Sequence, residues 1–172
     1  MTNDHDAMIS QCAALYNLDP VLVKAVVEQE SNGNTFAFRP ERGYRYLWNV
    51  ETNKPYQPSS AQIATNIVPP DFPFLGAGRA AEYDGQRASW GLMQVMGAVA
   101  RELQFRDPYL SALCEPALGL VYGCKHLAKA IKRTVGNAEK ALSIYNSGRP
   151  DSPQGAAYAS EVLRRYNRLS KG

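Results

Sequence analysis

Three short stretches of the sequence hold side chains able to act on a substrate. Glu30 follows the apolar residues Val23, Val26 and Val27. A carboxyl shielded by apolar neighbours has its charged form disfavoured. Its pKa rises, and it can then deliver a proton near neutral pH. Position alone says little, because most glutamates at helix ends are solvated. The second stretch is Ser89-Trp90-Gly91-Leu92-Met93-Gln94-Val95-Met96, apolar and uncharged, with one glycine and one amide. Gly91 leaves room for a close approach, although the same residues also describe a core segment with a turn. The third reads ALSIYNSG over 141–148 and places Tyr145 and Asn146 just before Gly148. By itself that is a helix C-terminus with a packed tyrosine.

Helices must position these residues. Residues 5–16 put Met8, Cys12 and Leu15 on one stripe. Asp19-Pro20 reads as a helix start, with Asp19 capping free N–H groups and Pro20 in the first position. Val21, Leu22, Ala25 and Val26 then form an apolar face of helical period, and Asn32-Gly33 supplies the stop. Residues 34–88 differ in character: six of the 11 prolines lie between Pro40 and Pro73, and nine of the 17 aromatics between Phe36 and Tyr83. This is too aromatic for a floppy linker and reads as an ordered, loop-rich insertion of about 35–87. It holds a short helix from about Ser59 to Asn66, capped by Ser59 or Ser60. Trp48, Tyr44 and Tyr46 could stack on sugars, but such clusters more often form a small core. Core is expected for most of them, and Trp48 is left open.

Beyond Ser89 the helical pattern returns over 93–104, from Asp107-Pro108 to Leu113, and from Pro116 to Val135, where Gly136-Asn137 ends it. Asn137 caps the next helix, which stops at Gly148, and Pro153 starts a last one to about Ser170. Arg164, Arg165, Arg168 and Lys171 near its end suit the negative helix terminus and are expected to form a solvated face. The chain of 172 residues is expected to form a single, mainly α domain over 1–172.

Composition narrows the function. A net charge of +3 is too small to point to nucleic acid but would favour anionic wall polymers. The longest uncharged stretch, Pro55–Pro70, carries four prolines, so no stable membrane insertion is expected. Cys12, Cys114 and Cys124 make an odd count without CxxC spacing, which points to buried thiols rather than a metal site. A Cys114–Cys124 bridge stays open. Met1–Asp6 has two aspartates, no Lys or Arg, and no apolar run after it, so no secretory signal is read.

Taken in order, Glu30-Ser31, SWGLMQVM, ALSIYNSG and Tyr158-Ala159-Ser160-Glu161-Val162 resemble the soluble lytic transglycosylase domain, the family-1 peptidoglycan lyases related to goose-type lysozyme. The resemblance covers about 8–34 and 88–168. The family usually passes from Glu-Ser to GLMQ in about twenty residues, whereas here Glu30 and Gly91 lie 61 positions apart. Arg39-Pro40-Glu41 and Trp48 are reminiscent of bacteriophage-type members. The resemblance implies a lysozyme-like helical fold and no cofactor or metal. It implies Glu30 as sole acid and base, with Ser31 a structural neighbour. Ser89, Gly91, Met93, Gln94, Met96, Tyr145 and Asn146 would bind substrate, Ser89 as the nearest match to a family serine upstream of GLMQ.

The implied reaction cuts the MurNAc–GlcNAc β-1,4 bond of peptidoglycan and leaves 1,6-anhydro-MurNAc. The expected partner is the glycan strand and the expected state a monomer. Synthesis in the cytoplasm would be followed by phage-type, endolysin-like release through a holin or carriage in a virion. Two alternatives stay open. A second carboxylate among Glu41, Glu51, Asp71, Glu82 and Asp84 would make the chain a hydrolytic muramidase. A non-catalytic wall-binding or structural phage component is the other.

Overall fold

The computed structural model of the chain describes residues 5–65, 67–76 and 78–171. It is mainly α, with eight α-helices and five short strands among those residues. They form two compact units: one runs up to Asn34 and resumes at Gly123, and the other spans Thr35–Tyr122.

In the first unit, α1 (Asp6–Leu15) buries Ile9, Cys12 and Ala13. The expected stripe is thus rotated: Cys12 faces inward, but Leu15 is 69% exposed. Ile9, Cys12 and Ala13 are also spaced i, i+3, i+4, and the small pair permits closer packing on the next helix. That helix, α2 (Pro20–Glu30), starts as its sequence demands, with Asp19 Oδ1 accepting from Val21 N at 2.8 Å and Pro20 in the first turn. Leu22, Val23, Ala25, Val26 and Val27 form its buried face. It ends where Asn32 and Gly33 turn to positive φ, 51° and 81°.

In the second unit, β1 (Phe38–Pro40) and β2 (Leu47–Asn49) belong to different sheets. β2 pairs antiparallel with β3 (Lys54–Tyr56), Leu47 opposite Tyr56. α3 (Ser60–Thr65) is capped by Ser59, which accepts from Gln62 N at 3.2 Å while Gln62 Oε1 accepts from Ser59 N at 2.7 Å. This is a reciprocal capping box. The expected end at Asn66 lies outside the described residues. α4 (Arg79–Gln86) is a helix that the loop-rich reading of 34–88 does not anticipate. Its inward face is carried by Glu82, Tyr83, Gly85 and Gln86, so it shows little apolar periodicity. β4 (Ala88–Trp90) then pairs with β1 and with β5 (Val95–Met96), giving a sheet of order β1-β4-β5.

The helix expected over 93–104 is therefore shorter. Gln94 has φ 45°, Val95 and Met96 pair with Trp90 and Ser89, and α5 covers only Gly97–Glu102. Asp107 Oδ1 accepts from Tyr109 N, but the following turn is a 3₁₀ helix over Leu110–Cys114. The aromatic stretch does form a core. Leu47, Phe72, Tyr83 and Ala98 cluster, with Tyr44, Tyr56 and Val68 packed against them. The Phe72 ring meets Tyr56 and Tyr83 edge-on at 4.9 and 5.1 Å, a favoured aromatic geometry. Tyr46 is 37% exposed and Trp48 half-buried.

Helix α6 (Pro116–Arg133) begins in the second unit and continues into the first. α7 (Ala138–Ser147) is capped by Asn137, which accepts from Lys140 N at 2.9 Å, and ends at Gly148. α8 (Pro153–Leu169) is capped by Ser152. It packs on both α7 and α2. Gly155 permits the first contact, because a Cβ there would run into Ser143 Oγ. Arg165 Nε donates to Gln29 Oε1 at 2.8 Å, Tyr166 Oη to Asp19 Oδ2 at 2.8 Å, and Arg168 pairs with Glu28. The basic end of α8 is thus tied to α2 in part, rather than being only a solvated face. All three cysteines are free thiols, so the Cys114–Cys124 bridge is not formed.

Candidate active site

Glu30 is the last residue of α2 and is half-buried. Ser31 finishes the helix: its N donates to Val27 O at 3.0 Å, and its Oγ accepts from Gly33 N at 3.2 Å. The ties between α2 and α8 hold this end of α2 against Tyr158. The Tyr158 hydroxyl donates to Glu30 Oε1 at 2.7 Å. Such a short bond to a carboxylate is stronger than one between neutral groups, and it fixes the carboxyl's orientation.

Helix α7 adds Tyr145, whose ring stacks near Tyr158 with centroids 6.4 Å apart and planes 17° from parallel. Burial holds the Tyr145 phenol well above its ordinary pKa, and the charges of Glu30 and then Cys124 act in the same direction. Burial also raises Tyr158 well above the ordinary value. The Glu30 charge, Tyr145 and the hydrogen bond to Glu30 add to the shift. Both phenols stay protonated at ordinary pH, and that of Tyr158 donates to Glu30. His126 of α6 lies behind Tyr145, with ring centroids 4.8 Å apart and Nε2 3.4 Å from Tyr145 O. Asn146, the next residue of α7, has its Oδ1 buried with no hydrogen-bond partner. A buried polar atom of this kind is costly unless something satisfies it.

The first unit therefore brings together Glu30 and Tyr145, with Tyr158 and His126 as residues that the sequence reading did not place in the site. Tyr158 lies within a motif quoted for the family resemblance but carries no role there. A weak signal exists: Tyr158, Arg165 and Tyr166 recur at helical spacing, as polar tips on one face of α8.

Ser89, Gly91, Met93, Gln94 and Met96 gather in the β4–β5 hairpin of the second unit. Gly91 sits at φ 70°, where a side chain is strained, and a Cβ there would collide with the Leu113 carbonyl oxygen. The Gln94 amide braces the turn. Its Nε2 donates to Ala37 O at 2.9 Å and Gly91 O at 3.1 Å, and its Oε1 accepts from Ser89 Oγ at 2.9 Å. Met93 is wholly buried and Met96 half-buried.

The carboxylates of the insertion have separate duties. Glu82 is buried and forms a two-pronged pair with Arg101, at 2.8 Å from Nε and 2.8 Å from Nη2. Gln86 Nε2 donates to the same carboxylate at 2.9 Å. Glu41 pairs with Arg39 at 2.7 Å, and Asp71 accepts from Tyr56 Oη at 3.1 Å. Glu51 and Asp84 are exposed. Among the described residues no cluster of His, Cys, Asp and Glu is arranged to hold a metal ion. No helix among them is long and apolar enough to cross a membrane.

No solved structure matches the chain. A family model, described as the Transglycosylase SLT domain, matches residues 7–165. That span covers the second unit, most of the first and all four motifs quoted above. The chain belongs to the Transglycosylase SLT domain family, with its mainly α, lysozyme-like fold and its peptidoglycan substrate.

Proposed function

We propose that the chain cleaves the MurNAc–GlcNAc β-1,4 bond as a lytic transglycosylase, leaving a 1,6-anhydro-MurNAc end, with Glu30 as acid and base and both units acting as one catalytic domain. The observation that carries this reading is the 2.7 Å bond from Tyr158 Oη to Glu30 Oε1, with Tyr145 stacked beside it. It is the arrangement expected of one carboxyl that must be held in place while it gives up and regains a proton.

Most glycosidases need two carboxylates. Here the substrate supplies the second function. The acetamido oxygen of the muramoyl sugar attacks its own anomeric carbon while Glu30 protonates the departing glycosidic oxygen. The Glu30 carboxylate then takes the proton of the C6 hydroxyl, whose oxygen closes onto C1 and displaces the acetamido oxygen. Glu30 ends protonated, as it began, and no water is consumed. An internal hydroxyl has a high effective concentration, which favours ring closure over attack by water. Asn146, next to Tyr145 on α7, is the further candidate for a sugar contact, while Tyr158 holds the carboxyl with Tyr145 stacked beside it. Gly91, Gln94 and Ser89 shape the hairpin, which packs Met93 inside and leaves Met96 half-buried as the side chain open to a sugar. The engagement of Glu41, Asp71 and Glu82 by Arg39, Tyr56 and Arg101 favours a single acid.

Mass spectrometry of fragments released from purified peptidoglycan tests the proposal. The expected fragments end in 1,6-anhydro-MurNAc, one water lighter than the hydrolysed form, and are absent with Glu30→Gln. Free reducing MurNAc ends would instead establish a muramidase. No fragments from the unaltered chain would leave a wall-binding role.

A further inference from the structure

A pocket of about 350 Å³ opens in the second unit, with Phe38, Pro40, Glu41, Arg42, Asp84 and Trp90 in its wall. Its volume falls within the range of small-ligand sites. Phe38 and Trp90 are register partners on β1 and β4, with ring centroids 4.6 Å apart. The Trp90 indole is pinned by its Nε1 donating to Gly85 O at 2.9 Å. Arg87 forms the floor. Its guanidinium lies 4.9 Å over the Tyr83 ring and bonds the Arg42 carbonyl, while its own carbonyl accepts from Glu41 N at 2.7 Å. The wall is therefore preorganised, which lowers the cost of binding.

Two charges of opposite sign are left over. Glu41 is taken by Arg39. The Asp84 carboxylate and the Arg42 guanidinium have no partner among the described residues, and both line the pocket. An uncharged N-acetyl sugar would match neither. An aliphatic stem bearing an ammonium and a carboxylate would match both, with its methylenes on the aromatic wall and a planar carboxylate facing the Arg42 fork.

We propose that this pocket binds the zwitterionic end of a diamino acid in the wall's stem peptide, with the ammonium on Asp84 and the carboxylate on Arg42. The proposal rests on peptidoglycan being cleaved by this chain. It adds that strands whose second amine is not cross-linked are preferred, because a cross-link turns that ammonium into an amide.

The test titrates the full chain with the free tripeptide L-Ala-γ-D-Glu-meso-diaminopimelate, following the Trp90 indole signal by NMR. The tripeptide should shift that signal. Asp84→Asn and Arg42→Gln should each weaken binding about fivefold, the value of one exposed charge pair. Acetylating the probe's side-chain amine should weaken binding to the unaltered chain by the same factor and leave Asp84→Asn indifferent. Both substitutions lie at exposed positions, so a matching melting curve separates lost binding from lost fold. A Trp90 shift with chitotetraose and none with the tripeptide would overturn the proposal in favour of a glycan subsite. No shift with either would remove the pocket from wall recognition. The probe contains no glycosidic bond, so binding without cleavage of whole peptidoglycan would count against the transglycosylase reading alone.

Discussion

Tyr158 carries a role out of proportion to its visibility in the sequence. It stands 128 positions from Glu30, and the bond between them depends on α2 and α8 lying side by side. The resemblance points to Glu30 through a local Glu-Ser pair and to Tyr145 through YNSG, but nothing within a few residues of Tyr158 says what its hydroxyl faces. Tyr158→Phe removes the donor and keeps the ring. A hydrogen bond to a charged group contributes about 1.5–3 kcal/mol, so kcat should fall about 10- to 100-fold. KM should change little if Glu30 is the acid proposed above, because the lost contact is to Glu30 and not to the sugar. Steady-state rates on purified peptidoglycan check this, and an unchanged kcat would remove Tyr158 from the machinery.

Elements whose signals are local were legible, and those that depend on distant partners were not. Asp19, Ser59 and Asn137 cap the helices expected of them, because a cap is a contact within three residues. The starts at Pro116 and Pro153 and the stop at Gly148 were readable for the same reason. The strands of the insertion are two or three residues long, and their register is set across gaps such as Phe38 to Trp90. No alternation can show in so short a span. α4 escaped notice because Glu82 and Gln86 take inward positions usually held by apolar residues. The hairpin at 91–94 replaced an expected helical turn because Gly91 and Gln94 both adopt positive φ. Gly91→Ala should therefore cost about 3 kcal/mol, combining left-handed strain with the collision at Leu113. A denaturant melt should show an earlier midpoint with an unchanged slope. A midpoint equal to that of the unaltered chain would mean that the turn can relax.

At the scale of the whole molecule, stability rests on a buried ion pair and on tyrosines whose protonation the fold controls. The Glu82–Arg101 pair is buried at both ends, and Arg101 Nη1 also donates to Phe105 O and Asp107 O at 2.8 Å each. Arg101→Met leaves the Glu82 carboxylate buried without its cation, an expected loss of about 3–5 kcal/mol, measurable by urea unfolding. A loss under about 1 kcal/mol would show that water reaches Glu82. Alkaline pH acts through the tyrosines. Tyr145 and Tyr158 are raised well above 10, and burial with the neighbouring Asp71 pushes Tyr56 up to about 12. A raised folded pKa means that the folded chain holds protons which the unfolded chain releases above pH 10. The stability they contribute is fully present below pH 10 and is lost as pH climbs beyond it. Urea midpoints should begin to fall as pH approaches 9, where burial has raised the Cys124 thiol to about 12, and fall further from pH 10 to 12, with a shallower fall in Tyr158→Phe. A flat profile to pH 12 would contradict the raised values. The division of the first unit between the two ends of the chain has a consequence for biosynthesis. Tyr158 leaves the ribosome 128 residues after Glu30, an interval of roughly 6–25 s at ordinary elongation rates. Throughout that interval the Glu30 carboxyl has no α8 to hold it, and a polypeptide halted anywhere before Pro153 is born with that carboxyl unanchored.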